Sequence, residues 1–227
     1  MMAMVDPVEG PRTENRPLEA GATATDWAQH WDGTYAHGDS TRSWYQERAA
    51  ASLRMLKKAQ VRPTHALVDV GGGASVLVDD LLELGWTDVT VLDVSEIGLQ
   101  VARDRLGTAA DRVHWLVQDL RSWRPDRIYD VWHDRAVLHF FTASADRERY
   151  RAVLNSATAA GSTAIFGVFS PDGPPSCSGL PVQRYGAEAL ADFLGDAWTI
   201  LVSDRETHHT PAGKAQDFTW AAFRRTA

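Results

Sequence analysis

The sequence predicts an α/β fold: a mostly parallel sheet with helices on both faces, closed by an antiparallel hairpin. Three observations predict it. Short β-branched runs alternate with segments of helical spacing from Ala66 to Phe169. A glycine cluster, Gly71-Gly72-Gly73, sits at the first strand-to-helix junction. Two strand-like runs near the C-terminus, Thr199 to Ser203 and Asp217 to Phe223, are separated by too few residues for a crossover helix and should pair antiparallel.

Each element has a local reason. Thr25 to Ser43 is rich in aromatic residues but shows no long helical period. Ser43-Trp44-Tyr45-Gln46 has the form of a capping box, which predicts a helix to about Ala59 with Ala49, Leu53 and Leu56 on one face, stopped by Arg62-Pro63. Ala66 to Val70 is the first strand. After the glycine turn, Leu77, Leu81 and Leu84 mark a helix from Ala74 to Leu84, ended by Gly85. Val89 to Leu92 is the second strand, and Ser95 caps a helix to Leu106. Val113 to Val117 and Tyr129 to His133 are the third and fourth strands. A helix from Ala145 to Ala160 ends at Gly161, and Thr163 to Phe169 is the fifth strand. A helix from Gly186 to Leu194 leads into the hairpin, whose two strands are joined by the polar loop Thr207 to Gly213.

Composition excludes several classes. A chain of 227 residues with 44% hydrophobic content suits one α/β domain with a real core. A net charge of −7 argues against nucleic acid as a partner. The single cysteine, Cys177, excludes an internal disulfide framework and suits a reducing cytoplasm. No apolar run reaches the roughly 18 residues of a membrane span. Met1 to Ala20 lacks the apolar core of a signal peptide. Residues 1–22 read as a flexible leader to a domain at 23–227.

Three motifs carry chemistry. The first is Asp69-Val70-Gly71-Gly72-Gly73-Ala74-Ser75. Glycines at such a turn admit a ligand close to the backbone, although a plain tight turn uses them too. A dinucleotide loop of the G-x-G-x-x-G/A type fits Gly71 and Gly73 but not Val76. A ligand without a pyrophosphate, such as S-adenosylmethionine (SAM), needs only the acid Asp69 and the small residues Gly71, Gly73 and Ser75. The second motif is Asp93, ending the second strand twenty-four residues after Asp69, where a carboxylate can accept from both ribose hydroxyls or simply cap the next helix. The third is Gln118-Asp119-Leu120 after the third strand, placed to meet an adenine edge or to be a solvated loop.

In order and spacing these motifs resemble the class I SAM-dependent methyltransferases, from about Asp26 to the C-terminus and most strongly over Leu67 to Phe141. The resemblance implies a three-layer, Rossmann-like sheet of seven strands. It implies SAM as cofactor and S-adenosylhomocysteine as product. It assigns Asp69, Gly71, Gly73 and Ser75 to the methionine part, Asp93 to the ribose and Asp119 to the adenine, with Val94, Gln118 and Leu120 as further cofactor contacts. His30-Trp31-Asp32-Gly33-Thr34-Tyr35 and the Ser43 segment look like the N-terminal cover of a subgroup that includes thiol, thiopurine and protein-lysine methyltransferases. Trp31, Tyr35, Trp44 and Tyr45 would then close over the donor within a lid at about 26–60, an aromatic wall suited to a sulfonium cation.

The acceptor side is less specific. His133, Asp134 and His139 follow the fourth strand and are candidates to hold or deprotonate a nucleophile, or are structural. Tyr45, Arg135, Cys177, Arg184, His208 and His209 are candidate acceptor contacts. One cysteine without paired ligand spacing gives no metal site. The expected acceptor is a small molecule, such as a thiol or other soft nucleophile. A protein lysine is the alternative, although His133-Asp134-Arg135-Ala136 departs from the acid-Lys-Gly-Thr arrangement of those enzymes. A SAM-binding module without turnover is a third reading.

Overall fold

Leu67–Val70 (β1) is buried along its whole length, as are Val89–Asp93 (β2) and Thr163–Phe169 (β5). Continuous burial of this kind needs cover on both faces of the sheet. The computed structural model describes residues 23–36 and 42–227, so the expected leader at 1–22 lies outside the described residues. In chain order the elements are α1 (Ala24–Tyr35), α2 (Ala50–Lys58), β1, α3 (Leu77–Glu83), β2, α4 (Glu96–Leu106), β3 (Val113–Val117), β4 (Val131–Arg135), α5 (Ser144–Ala157), β5, β6 (Ser176–Cys177), β7 (Leu180–Pro181), α6 (Ala187–Leu194), β8 (Trp198–His209) and β9 (Ala215–Arg225). The main sheet has seven strands in the order β3-β2-β1-β4-β5-β9-β8, parallel except where β9 pairs with β5 and β8.

The strand alternation divides the core in two. Val68, Val70, Trp132 and Phe166 pack with Tyr150 and Leu154 of α5 and Leu190 and Leu194 of α6. Leu67, Val89, Val131 and Ile165 pack on the other face with Met55 of α2, Leu77 and Leu81 of α3, and Leu99 of α4. The chain winds outward from β1 to β3 and then returns to β4 beside β1. The carboxyl ends of β1 and β4 therefore flank the point where the winding reverses, which is where open α/β sheets form their crevice.

Several expected elements change. Thr25 to Ser43 does contain a helix. Thr23 caps α1, its hydroxyl accepting from Asp26 N at 3.3 Å while Asp26 Oδ2 accepts from Thr23 N at 2.7 Å. Ser43 caps nothing: Arg42 to Tyr45 is a turn, and α2 starts at Ala50. The helix expected from Ala74 starts at Leu77, because Gly71 and Gly73 hold positive φ and the turn runs on through a Ser75 N to Gly72 O bond. β4 lies two residues later than expected. β8 and β9 extend to 12 and 11 residues, so Thr207, His208 and His209 belong to a strand and not to a loop. β8 is a sheet edge exposed along most of its length, so its polar half carries no apolar signal. The proline- and glycine-rich segment after β5 contains the short hairpin β6–β7. Among the described residues, no helix is long and apolar enough to cross a membrane.

Candidate active site

The crevice is a cavity above the carboxyl ends of β1, β2 and β4, extending to the loop after β3. Its floor is the β1–α3 turn. Gly71 N and Gly72 N donate to Leu92 O at 2.6 and 3.2 Å, which folds the turn back over β2. Gly71 has φ +65°, and a Cβ there would overlap Val137 Cγ2. Gly71→Ala combines left-handed strain with that overlap. It is expected to lower the melting temperature by about 5 °C, measured by circular dichroism. An unchanged Tm would mean that the turn is not held as described.

The carboxylates differ in environment. Asp93 is 6% exposed, and its Oδ1 accepts from Ser95 N at 2.7 Å. Burial, with Asp69 and Asp32 adding negative charge nearby, pushes its pKa up to about 7. Asp69, also buried, accepts from His133 Nδ1 at 2.7 Å across the β1–β4 pairing. His133 Nε2 is buried, lacks a hydrogen-bond partner, and belongs to a ring on the cavity wall. Asp119 is clamped by Arg121, with Nε to Oδ1 at 3.0 Å and Nη2 to Oδ2 at 2.6 Å. The Arg121 guanidinium in turn lies 4.8 Å from the centroid of Trp27.

α1 roofs this cavity. Trp31 meets Phe140 at 5.2 Å and Trp44 at 5.8 Å between ring centroids, and Tyr35 meets Trp44 at 6.2 Å. Asp32 Oδ1 accepts from Ser95 Oγ at 2.6 Å and from Ile97 N at 3.3 Å, so α1 is pinned to the N-terminus of α4, where negative charge is favoured.

Of the expected cofactor residues, Asp69, Gly71, Ser75, Asp93, Val94, Gln118, Asp119, Leu120, Trp31, Tyr35 and Trp44 line the cavity, as do His133, Arg135 and Cys177 on the acceptor side. The others do not. Gly73, at φ +44°, packs under the Tyr35 hydroxyl, which a Cβ there would overlap, so it makes room for the roof. Asp134 points to the opposite face of β4 and is fully buried. It accepts from Val137 N at 2.9 Å, Leu138 N at 3.0 Å and the Tyr150 hydroxyl. His139 is sealed between Phe140 and Phe169, and burial, then the nearby Arg135 charge, lowers its pKa to about 3. Neither side chain reaches the cavity, so the expectation that they handle a nucleophile is corrected. Tyr45 lies in the Arg42 turn, and Arg184 is an exposed residue donating to Gly173 O at 3.1 Å. His208 is held by Ser43 O at 2.8 Å, and His209 is exposed on the edge strand. None of these four lines the cavity.

Trp27, Arg121, Val137 and Phe140 line the cavity without having been expected. A signal for Trp27 was present: Thr23-x-x-Asp26 is a capping box, and Trp27, Trp31 and Tyr35 then recur every four residues.

A methyltransferase-domain model matches residues 67–160. The mouse (Mus musculus) eEF1A lysine and N-terminal methyltransferase is 21% identical over 175 residues, covering 76% of this chain and 24% of that protein. The chain thus spans about a quarter or less of the length of the curated relatives it matches. Among solved structures, the Burkholderia thailandensis 1,6-didemethyltoxoflavin-N1-methyltransferase with bound 1,6-didemethyltoxoflavin and S-adenosylhomocysteine superposes with a TM-score of 0.71. Its identity is 20%, over 93% of this chain and 94% of that one. The N-methyltransferase NodS from Bradyrhizobium japonicum, in complex with S-adenosylhomocysteine, gives 0.68 at 16% identity over 88% and 98%.

Proposed function

We propose that this chain, a SAM-dependent methyltransferase of class I fold, moves the methyl group of SAM to a small-molecule acceptor, with His133 as the base that takes the acceptor's proton. The reading rests on one observation: a single crevice gathers Asp69, Asp93 and Asp119 from three strand ends beside a buried His133 Nε2 that has no partner.

In this reading Asp93 accepts from the ribose hydroxyls and Asp119 from the adenine amino group. The Gly71 turn receives the methionine part, and Gly73 acts by admitting Tyr35. α1 and Trp44 serve as the cover, with Trp27, Trp31 and Trp44 facing the sulfonium and excluding water. Asp69 engages His133 Nδ1, which leaves Nε2 as the ring nitrogen to take the acceptor's proton. The acceptor's lone pair attacks the methyl carbon in line with the breaking C–S bond. The bond electrons stay on sulfur, giving S-adenosylhomocysteine, and the acceptor proton passes to Nε2.

Calorimetry should find SAM binding and no NAD binding; the reverse would end the reading. His133→Gln is expected to lower kcat about 100-fold while leaving the SAM dissociation constant within twofold. A SAM affinity that fell in step with kcat would reject the base and make His133 part of the donor site. A radiolabelled-methyl screen should label thiols, amines or phenols. Label confined to protein bands would favour the protein-lysine reading suggested by the name of the mouse relative.

A further inference from the structure

Arg135 ends β4, two residues beyond His133 and on the same face of the strand. Nη1 is its anchored nitrogen, donating to Trp44 O at 3.1 Å. The guanidinium lies 5.2 Å from the centroid of Phe218 on β9. Nε and Nη2 are closed off from solvent and have no hydrogen-bond partner. Glu206, Cys177 and Asp69 face this charge, as do the His139 and His208 rings, and none forms an ion pair with it. Asp69 is engaged by His133, and Glu206 accepts from Trp220 Nε1 at 2.6 Å. A buried guanidinium without a counter-ion is costly to hold, and burial disfavours its charge.

The two unpartnered nitrogens are adjacent on one edge of the guanidinium, the edge that takes a planar oxyanion through two parallel hydrogen bonds. The edge belongs to a cavity-lining residue whose head leans toward β9, away from the Asp93 and Asp119 end. We infer that Arg135 clamps a carboxylate of the methyl acceptor, so that the substrate is a small carboxylic acid whose nucleophile stands at His133 Nε2. This inference rests on the methyltransferase reading above and specifies its substrate class.

The test uses the full chain, radiolabelled SAM and matched acceptors that differ in one group: 3-mercaptopropionate against propanethiol, 4-hydroxybenzoate against phenol, and glycine against methylamine. A phosphate-bearing partner, 4-hydroxyphenyl phosphate, is compared with 4-hydroxybenzoate. Calorimetry of the same compounds against the S-adenosylhomocysteine complex gives a readout independent of turnover. At least one carboxylate should bind that complex, and be methylated, tenfold or more better than its neutral partner. Arg135→Gln should remove the preference and leave the SAM dissociation constant within twofold. Arg135→Lys, which keeps the charge but not the fork, should recover part of it. Because the guanidinium has no counter-ion, the Tm of Arg135→Gln should equal or exceed that of the wild type. Four results would overturn the inference: equal binding of neutral and acidic partners, preference for the phosphate, no binding of any carboxylate, or a tenfold loss of SAM affinity in Arg135→Gln. The last would assign the guanidinium to the donor's own carboxylate. If SAM fails to bind the wild type, the methyltransferase reading itself has failed, and that outcome is seen separately.

Discussion

Asp93→Asn should stabilise the donor-free protein while weakening its grip on SAM at least tenfold. The carboxyl is buried with two other acids nearby, and its pKa stands at about 7 against an ordinary 3.8. Folding therefore favours the protonated form. As pH rises from about 4 to 7, the unfolded chain ionises first, and the folded state loses stability relative to it. Above about pH 7 the full burden is present, on the order of 4 kcal/mol for a shift of this size. An asparagine keeps an oxygen for Ser95 N and carries no charge. Scanning calorimetry at pH 8 should show Tm raised by about 10 °C, with the gain shrinking as pH falls from 7 toward 4. Titration of SAM should show the converse, because ribose hydroxyls donate best to an ionised carboxylate. Wild-type affinity should accordingly be lower at pH 6 than at pH 8. A variant that binds SAM as tightly as the wild type would remove Asp93 from the donor site.

The second large effect is structural. Asp134→Ala is expected to lower Tm by about 10 °C, corresponding to roughly 4 kcal/mol. The substitution strands two buried donors, Leu138 N and the Tyr150 hydroxyl, and the half-buried Val137 N, which together pin the β4–α5 connection to α5. Burial raises the Asp134 pKa to about 6, so relieving a buried charge offsets part of the loss above that pH. Asp134→Asn, whose carbonyl still accepts, should recover more than half of the stability. A variant with wild-type Tm and a kcat reduced by orders of magnitude would instead make Asp134 the base. Thermal denaturation alongside single-turnover kinetics separates the two outcomes.

Much of the cavity lining at the strand ends was legible in the sequence because each of its marks is local. Asp69 and the glycines close one strand, Asp93 closes the next, and Gln118 to Leu120 follow the third. The roof was half legible. Trp31, Tyr35 and Trp44 stand out by aromatic type, whereas α1 is a short helix with polar residues between its aromatics and two buried side chains, His30 and Tyr35, so it carries little apolar periodicity. The hairpin was legible as a hairpin but not in its length. β8 borders solvent, and hydrophobic patterning marks only the part of a strand that is buried.

The sequence by itself determined the alternating α/β architecture, the glycine turn and the order of the strand-end acids, since each follows from residues a few positions apart. Only the tertiary structure decided what the cluster His133-Asp134-Arg135 does. Side chains alternate across a strand, so a two-residue shift in where β4 begins and ends decides which neighbours belong to the strand. The parallel register then sets which of them meet Asp69, sixty-four residues away. His133 and Arg135 fall on the crevice side and Asp134 on the α5 side because β4 pairs with β1 in this register. No local property of the three residues carries that information.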